Sequence, residues 1–395
     1  MSERIPATPK IGILKGSKRD AGFDDHALSS KILIANQSQS LDRSFSSVGM
    51  LLGQGVLWCL LVIGIVVADR CSDCVASGKT YCANTQQCLD DVETRCDTRI
   101  KLALNCPRSP MIAYSDELAR NQIMVITTAA QNPNPQLCFD NQLPTMKVYK
   151  YREVNCSKVY DDVTCAAFTA YDVTKKAIVV SFKGAHGEHQ IRELMESFMI
   201  HGTMKFFDYG RVAKMGYDSF MYLWNGGIQE DLRYLKYTYP TFELWVNGHS
   251  LGATLGIIAS SFIAHIHLFE PDQMKVMVMG AGRVGDYAFA DWYSNTFPYS
   301  FRIVHRDDPA TRSPTVDDVH NVTMYHARFE VWYDNYMKPG DAYEVCQEAD
   351  GPYCSNLSTD KPIADDHLYY FNIQLPLWGH AGCPKNISAY AQPEN

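Results

Sequence analysis

The 395-residue chain has no internal repeat, no basic patch and no set of histidines and cysteines at zinc-finger spacing. Each absence removes a class of function. Lysine and arginine number 36 against 44 acidic residues, the formal net charge is -8, and the basic residues are scattered. A nucleic-acid partner, which would need a positive face against the phosphates, is therefore not expected. Cys71 and Cys74 have the spacing of a zinc or redox pair, but no histidine-rich partner motif accompanies them, so neither a metal nor a cofactor is expected. Long apolar runs are also absent, with one exception.

That exception is residues 48–68, a run without a charge and without the polar face that a core helix at a protein surface would keep. It reads as a signal peptide or a single transmembrane anchor, and in either case the chain downstream of it is exported. Met50 within it is an alternative start, and Val66-Val67-Ala68 supplies the small residues of a signal-peptidase site. Residues 1–47 are polar and aperiodic, as in a disordered or mispredicted extension.

Cysteine usage points the same way. Of thirteen cysteines only Cys59 lies in the apolar run. The remaining twelve suggest six disulfides and an extracellular protein, with Cys346 and Cys354 a plausible local pair. Residues 69–108 crowd Cys71, Cys74, Cys82, Cys88, Cys96 and Cys106 into a weakly apolar segment that cross-links must hold, since it has too little hydrophobic core of its own. Asn155, Asn321, Asn356 and Asn386 are glycosylation acceptors in Asn-x-Ser/Thr tripeptides.

Residues 109–375 have the texture of one large α/β domain, and 376–395 form a C-terminal tail. Ser115 begins a capped helix. Ala177 to Phe182 is an apolar, β-branched strand. Further strands are Val276 to Met279, Phe301 to Val304 and Phe329 to Tyr333. Phe242, Leu244 and Val246 alternate at strand period, whereas Leu255, Ile258 and Phe262 recur at helical spacing. Between these two patterns stands Gly248-His249-Ser250-Leu251-Gly252. In this Gly-x-Ser-x-Gly elbow a strained turn lifts the serine hydroxyl above the sheet, and a side chain at either glycine would collide with backbone. The helix start after it offers the Leu251 N–H to an oxyanion.

Such a serine needs a base, and the base needs an orienting carboxylate. Ser250, Asp308 and His367 occur in the chain order of α/β-hydrolases. His249 (expected to point away from the serine), His320, His326 and His380 compete for the role of base. Asp307 competes for the carboxylate, against its reading as a solvated loop charge.

The blocks "IVVSFKGA", "GYDSF", "YPTFELWVNGHSLGATLG", "GAGRVGDYAFADWY", "FRIVHRDDPATRSP", "FEVWY" and "DHLYYF" together resemble the fungal-lipase-like class 3 lipases, an α/β-hydrolase family, in family order over residues 109–375. The resemblance implies a mostly parallel central sheet, a nucleophile at Ser250, a carboxylate at Asp308, a base at His367 and oxyanion N–H groups on Ala185 and Leu251. Ala185 stands where serine or threonine is usual, which removes a supporting hydroxyl. Ile191, Leu194, Met195 and Phe198, at helical spacing, occupy the place of the family's lid, without its usual tryptophan. The expected activity is ester hydrolysis on acylglycerols at a lipid–water interface. A phospholipase or non-lipid esterase is the enzymatic alternative, and a catalytically silent lipid- or glycan-binding protein is the rival of another class.

Overall fold

Eight strands lie side by side in chain order: β1 (Lys147–Asn155), β2 (Thr164–Asp172), β3 (Ala177–Phe182), β4 (Glu243–His249), β5 (Met274–Met279), β6 (Ser300–His305), β7 (Glu330–Tyr333) and β8 (Glu344–Val345). Strands β3 to β7 pair in parallel, and β1, β2 and β8 add antiparallel edges. In this computed structural model the described residues are 70–90, 96–187, 189–193, 202–314, 322–351, 353–358 and 363–393. The expectations for 1–47, for the apolar run 48–68 with Met50, and for Leu194, Met195, Phe198, His320 and Asn321 lie outside them. Among the described residues no helix is long and apolar enough to cross a membrane.

The central strands are buried on both faces, which is why they read as continuous apolar runs. Successive side chains point to opposite sides, so Val179, Trp245, Met277 and Ile303 enter one apolar layer while Val180, Val246 and Val278 enter the other. Helix α1 (Met124–Ala129), with the segments Gln136–Gln142 and Leu375–His380, covers the first layer. Helices α2 (Lys214–Leu223), α3 (Gln229–Thr238), α4 (Leu251–His265) and α5 (Tyr287–Thr296) cover the second. Upstream of α1, Ser115 accepts the Leu118 N–H, the cap expected at that residue.

The twelve cysteines among the described residues form six disulfides. Cys71–Cys106, Cys74–Cys88 and Cys82–Cys96 hold the N-terminal segment around a three-stranded sheet. Its interior amounts to little more than Tyr81, Ile100 and the cystines themselves, so cross-links replace the missing core. The segment is seated by Leu104, buried against Ala290 and Ala349. Arg328 seals the junction by donating to the carbonyls of Ala103, Cys106 and Gln347. Burial, then the nearby Arg108, pushes this guanidinium down to about 10. Cys156–Cys165 and Cys346–Cys354 close short loops, and Cys138–Cys383 spans 245 residues. Beyond residue 375 the chain stays packed, with Trp378 only 1% exposed.

Candidate active site

The carboxyl ends of β4, β5 and β6 bring the site together, as parallel α/β sheets do. At the end of β4, Ser250 takes φ 59° and ψ -125°, a left-handed turn that is costly for a residue with a Cβ. Its N–H is held by the Met279 carbonyl at 3.0 Å. The flanking glycines leave the turn room. A Cβ on Gly248 would lie 2.1 Å from the Gly252 oxygen, and one on Gly252 would lie 2.2 Å from the Phe182 oxygen. Neither contact is sterically possible.

The loop after β6 carries Asp308, and the short helix Ala364–Leu368 carries His367. His367 Nε2 lies 2.8 Å from Ser250 Oγ. Its Nδ1 lies 2.9 Å from both oxygens of Asp308. Since Nδ1–H donates to the carboxylate, Nε2 is the nitrogen left to accept the serine proton. Asp308 is fully buried and has two further donors, the Tyr370 hydroxyl at 2.6 Å and the Ala310 N–H at 2.8 Å. Burial alone would raise this carboxyl, but the His367 charge and the hydrogen bonds from His367 and Tyr370 outweigh it and hold it below its ordinary value.

One competitor is placed differently from expectation, and another has a partner the sequence did not show. His249 makes no hydrogen bond to Ser250; its ring centroid is 4.6 Å from that of His367 and its Nε2 donates to the His367 carbonyl at 2.7 Å. Burial, then His367, pushes it down to about 3, so it stays neutral beside the base. Asp307 is not a solvated loop charge. It is 4% exposed and paired with Arg312, because the loop turns it inward beside Asp366. His326 is buried on the Thr311 carbonyl, and His380 lies near His186, so neither takes the place of His367.

Among the described residues neither the Ala185 nor the Leu251 N–H has a hydrogen-bond acceptor, and Ala185 follows Gly184, whose Cβ position would lie 3.5 Å from Ser250 Cβ. Ile191 is 48% exposed on the helical stretch 189–193, the described part of the expected lid. Asn155 and Asn386 are exposed, while Asn356 is half-buried with its amide on Asp350. The cluster Glu330, Cys346 and Cys354 has its two sulfurs joined to each other, which leaves no thiolate for a metal.

Reasoning from sequence missed Tyr370 and Gly280. Tyr370 lies three residues past His367, inside the "DHLYYF" block. Gly280, at φ 60°, ends β5 where a Cβ would approach Asp308 Oδ2 to 2.9 Å and His367 Cε1 to 3.1 Å. It opens the "GAGRVGDYAFADWY" block, where nothing local sets it apart from Gly282 and Gly285.

Comparison with known proteins places these features. The family model for lipase (class 3) matches residues 179–318. An uncharacterized Caenorhabditis elegans protein is 36% identical over 258 residues, covering 65% of this chain and 93% of its own. Secreted mono- and diacylglycerol lipase A of Penicillium cyclopium is 25% identical over 224 residues, covering 55% and 70%. The solved triacylglyceride lipase of Rhizomucor miehei superposes with a TM-score of 0.54 at 22% identity, over 67% of this chain and 98% of its own. At that identity the likeness speaks for the fold, an α/β-hydrolase.

Proposed function

Because the chain belongs to the class 3 lipase family and is accordingly a carboxylic ester hydrolase, we propose that it is an exported serine lipase acting on acylglycerols at a lipid–water surface. The observation that carries this reading is the unbroken relay from Ser250 Oγ through His367 to Asp308. His367 Nε2 takes the serine proton as Oγ attacks the ester carbonyl, and Asp308 steadies the imidazolium. The free N–H groups of Ala185 and Leu251 receive the oxyanion. His367 returns the proton to the departing alcohol; it then takes a proton from water as the water attacks the acyl carbonyl, and gives it to Ser250 Oγ as the acyl–oxygen bond breaks and the fatty acid leaves.

The acylglycerol preference and export are supported by the name of the secreted mono- and diacylglycerol lipase relative and by the six disulfides. On this reading residues 69–108 are a cross-linked appendage, 109–375 the catalytic domain, and Ile191 part of a lid over the acyl site.

Labelling with a fluorophosphonate probe tests the chemistry: the wild type reacts and Ser250→Ala does not. Persistent labelling of that variant would move the nucleophile elsewhere. Tributyrin and triolein are expected to outpace phosphatidylcholine; the opposite order would make the protein a phospholipase. N-terminal sequencing of the secreted chain tests export.

A further inference from the structure

If Ala185 is the oxyanion donor, its loop has to be held in place, and the structure shows a group that does so. That group lies five residues on. Gln190 is 3% exposed, and both ends of its amide are used. Its Oε1 accepts the His186 N–H at 2.7 Å, next to Ala185. Its Nε2 donates to the Thr164 carbonyl at 3.0 Å and lies 3.8 Å from each sulfur of Cys156–Cys165. That disulfide clasps the turn between β1 and β2, and the start of β2 borders the end of β3 through the Lys183 N–H to Ala166 carbonyl bond. The neighbouring His189 rests on the same turn, its Nδ1 2.9 Å from Asp162 and its ring stacked on Tyr160 at 4.6 Å.

We propose that Gln190 is the positioning residue of the oxyanion loop, bracing the peptide beside Ala185 against the disulfide-closed turn of residues 156–165. The inference rests on the reading of Ala185 as an oxyanion donor. Unbraced, the Ala185–His186 peptide is free to turn about Ala185, the adjoining Gly184–Ala185 peptide that carries the donor N–H can follow it, and a donor that must reorganise during the reaction loses most of its effect. Neither end of Gln190 would be replaced by water, because the amide is enclosed.

Gln190→Met fills the same volume with no hydrogen bond. Its kcat on tributyrin should fall about tenfold, less than the loss of an oxyanion donor itself, with KM within about twofold. Fluorophosphonate labelling should slow in parallel. Gln190→Glu keeps an oxygen facing the His186 N–H, and because burial favours the protonated acid its O–H can still donate to the Thr164 carbonyl, so it should recover a large part of the loss. Thermal melts of both variants accompany the kinetics. A kcat unchanged in Gln190→Met, or equal losses in both variants that track a fall in Tm, would overturn the proposal. Should Gln190→Met fail to fold, Gln190→Leu takes its place, with the same expected fall in kcat and the same overturning result. A wild type inert to the probe would overturn the hydrolase reading and this inference together, whereas a reactive wild type with unaffected variants overturns the inference alone.

Discussion

Replacing Tyr370 with phenylalanine should separate what stabilises the site from what makes it catalytic. The ring is fully buried between His249 and His305, with centroids 5.6 and 5.9 Å away, and phenylalanine keeps that packing. Only the hydroxyl donor to Asp308, at 2.6 Å, is lost. A hydrogen bond to a buried charge is worth about 1.5–3 kcal/mol, so unfolding should become easier by about 2 kcal/mol at neutral pH. Asp308 is held below its ordinary value in the folded state. Its contribution is therefore present above the unfolded pKa and disappears as pH falls through the folded one. Loss of the tyrosine donor raises the folded pKa, so the penalty is complete at neutral pH and shrinks as the solution is acidified through the variant's folded value. Catalysis should suffer less. Asp308 keeps His367 and the Ala310 N–H, and a carboxylate with one donor fewer attracts the imidazolium at least as strongly, so kcat should drop less than about tenfold, or 1.4 kcal/mol. Urea unfolding at neutral pH and on stepwise acidification, together with tributyrin kinetics, gives all three quantities. A penalty below about 0.5 kcal/mol at neutral pH, or one that grows on acidification, would refute the assignment of Asp308 as a buried carboxylate held ionised by its donors.

Gly280→Ala introduces a Cβ 2.9 Å from Asp308 Oδ2 at a residue with φ 60°; steady-state kinetics should show at least about a tenfold loss in kcat, and a melt should show about 1–2 kcal/mol of backbone strain. Replacing Cys138 and Cys383 together with alanine opens a loop of 245 residues, and calorimetry should register a loss of about 2–5 kcal/mol. Glycan mapping after expression through the secretory route should find Asn386 occupied in preference to Asn356, since the first is exposed and the amide of the second is engaged by Asp350.

The parts of the fold that show in the sequence are those whose burial is complete. β3 is legible at its true limits, because Ala177 to Phe182 is apolar at nearly every position, and the change of period at Ser250 marks both β4 and α4. β1 and β2 are not legible in this way. β2 places Ala166, Ala167 and Ala170 in the core, residues with little strand propensity, and β1 is an edge strand of alternating Lys, Tyr, Arg and Glu exposed along much of its length. The three chemical groups stand out through chain order and motif. Their supports are less visible, because Tyr370, Gly280 and Gln190 matter through contacts between residues far apart in sequence, and no local pattern announces such a contact. His249 illustrates the gap: a histidine in the elbow looks idle until the short helix bearing His367 brings its backbone carbonyl within hydrogen-bond reach.

The junction made by Arg328 also has a mechanical consequence. The guanidinium spans carbonyls on both sides of the seam, at Ala103 and Cys106 of the cross-linked segment and at Gln347 of the α/β body, while Cys71–Cys106 ties the first described turn directly to that seam. A pull on the chain at Arg70 therefore reaches Cys106, and with it the carbonyl that Arg328 holds, across one disulfide rather than along the 35 residues between the two cysteines.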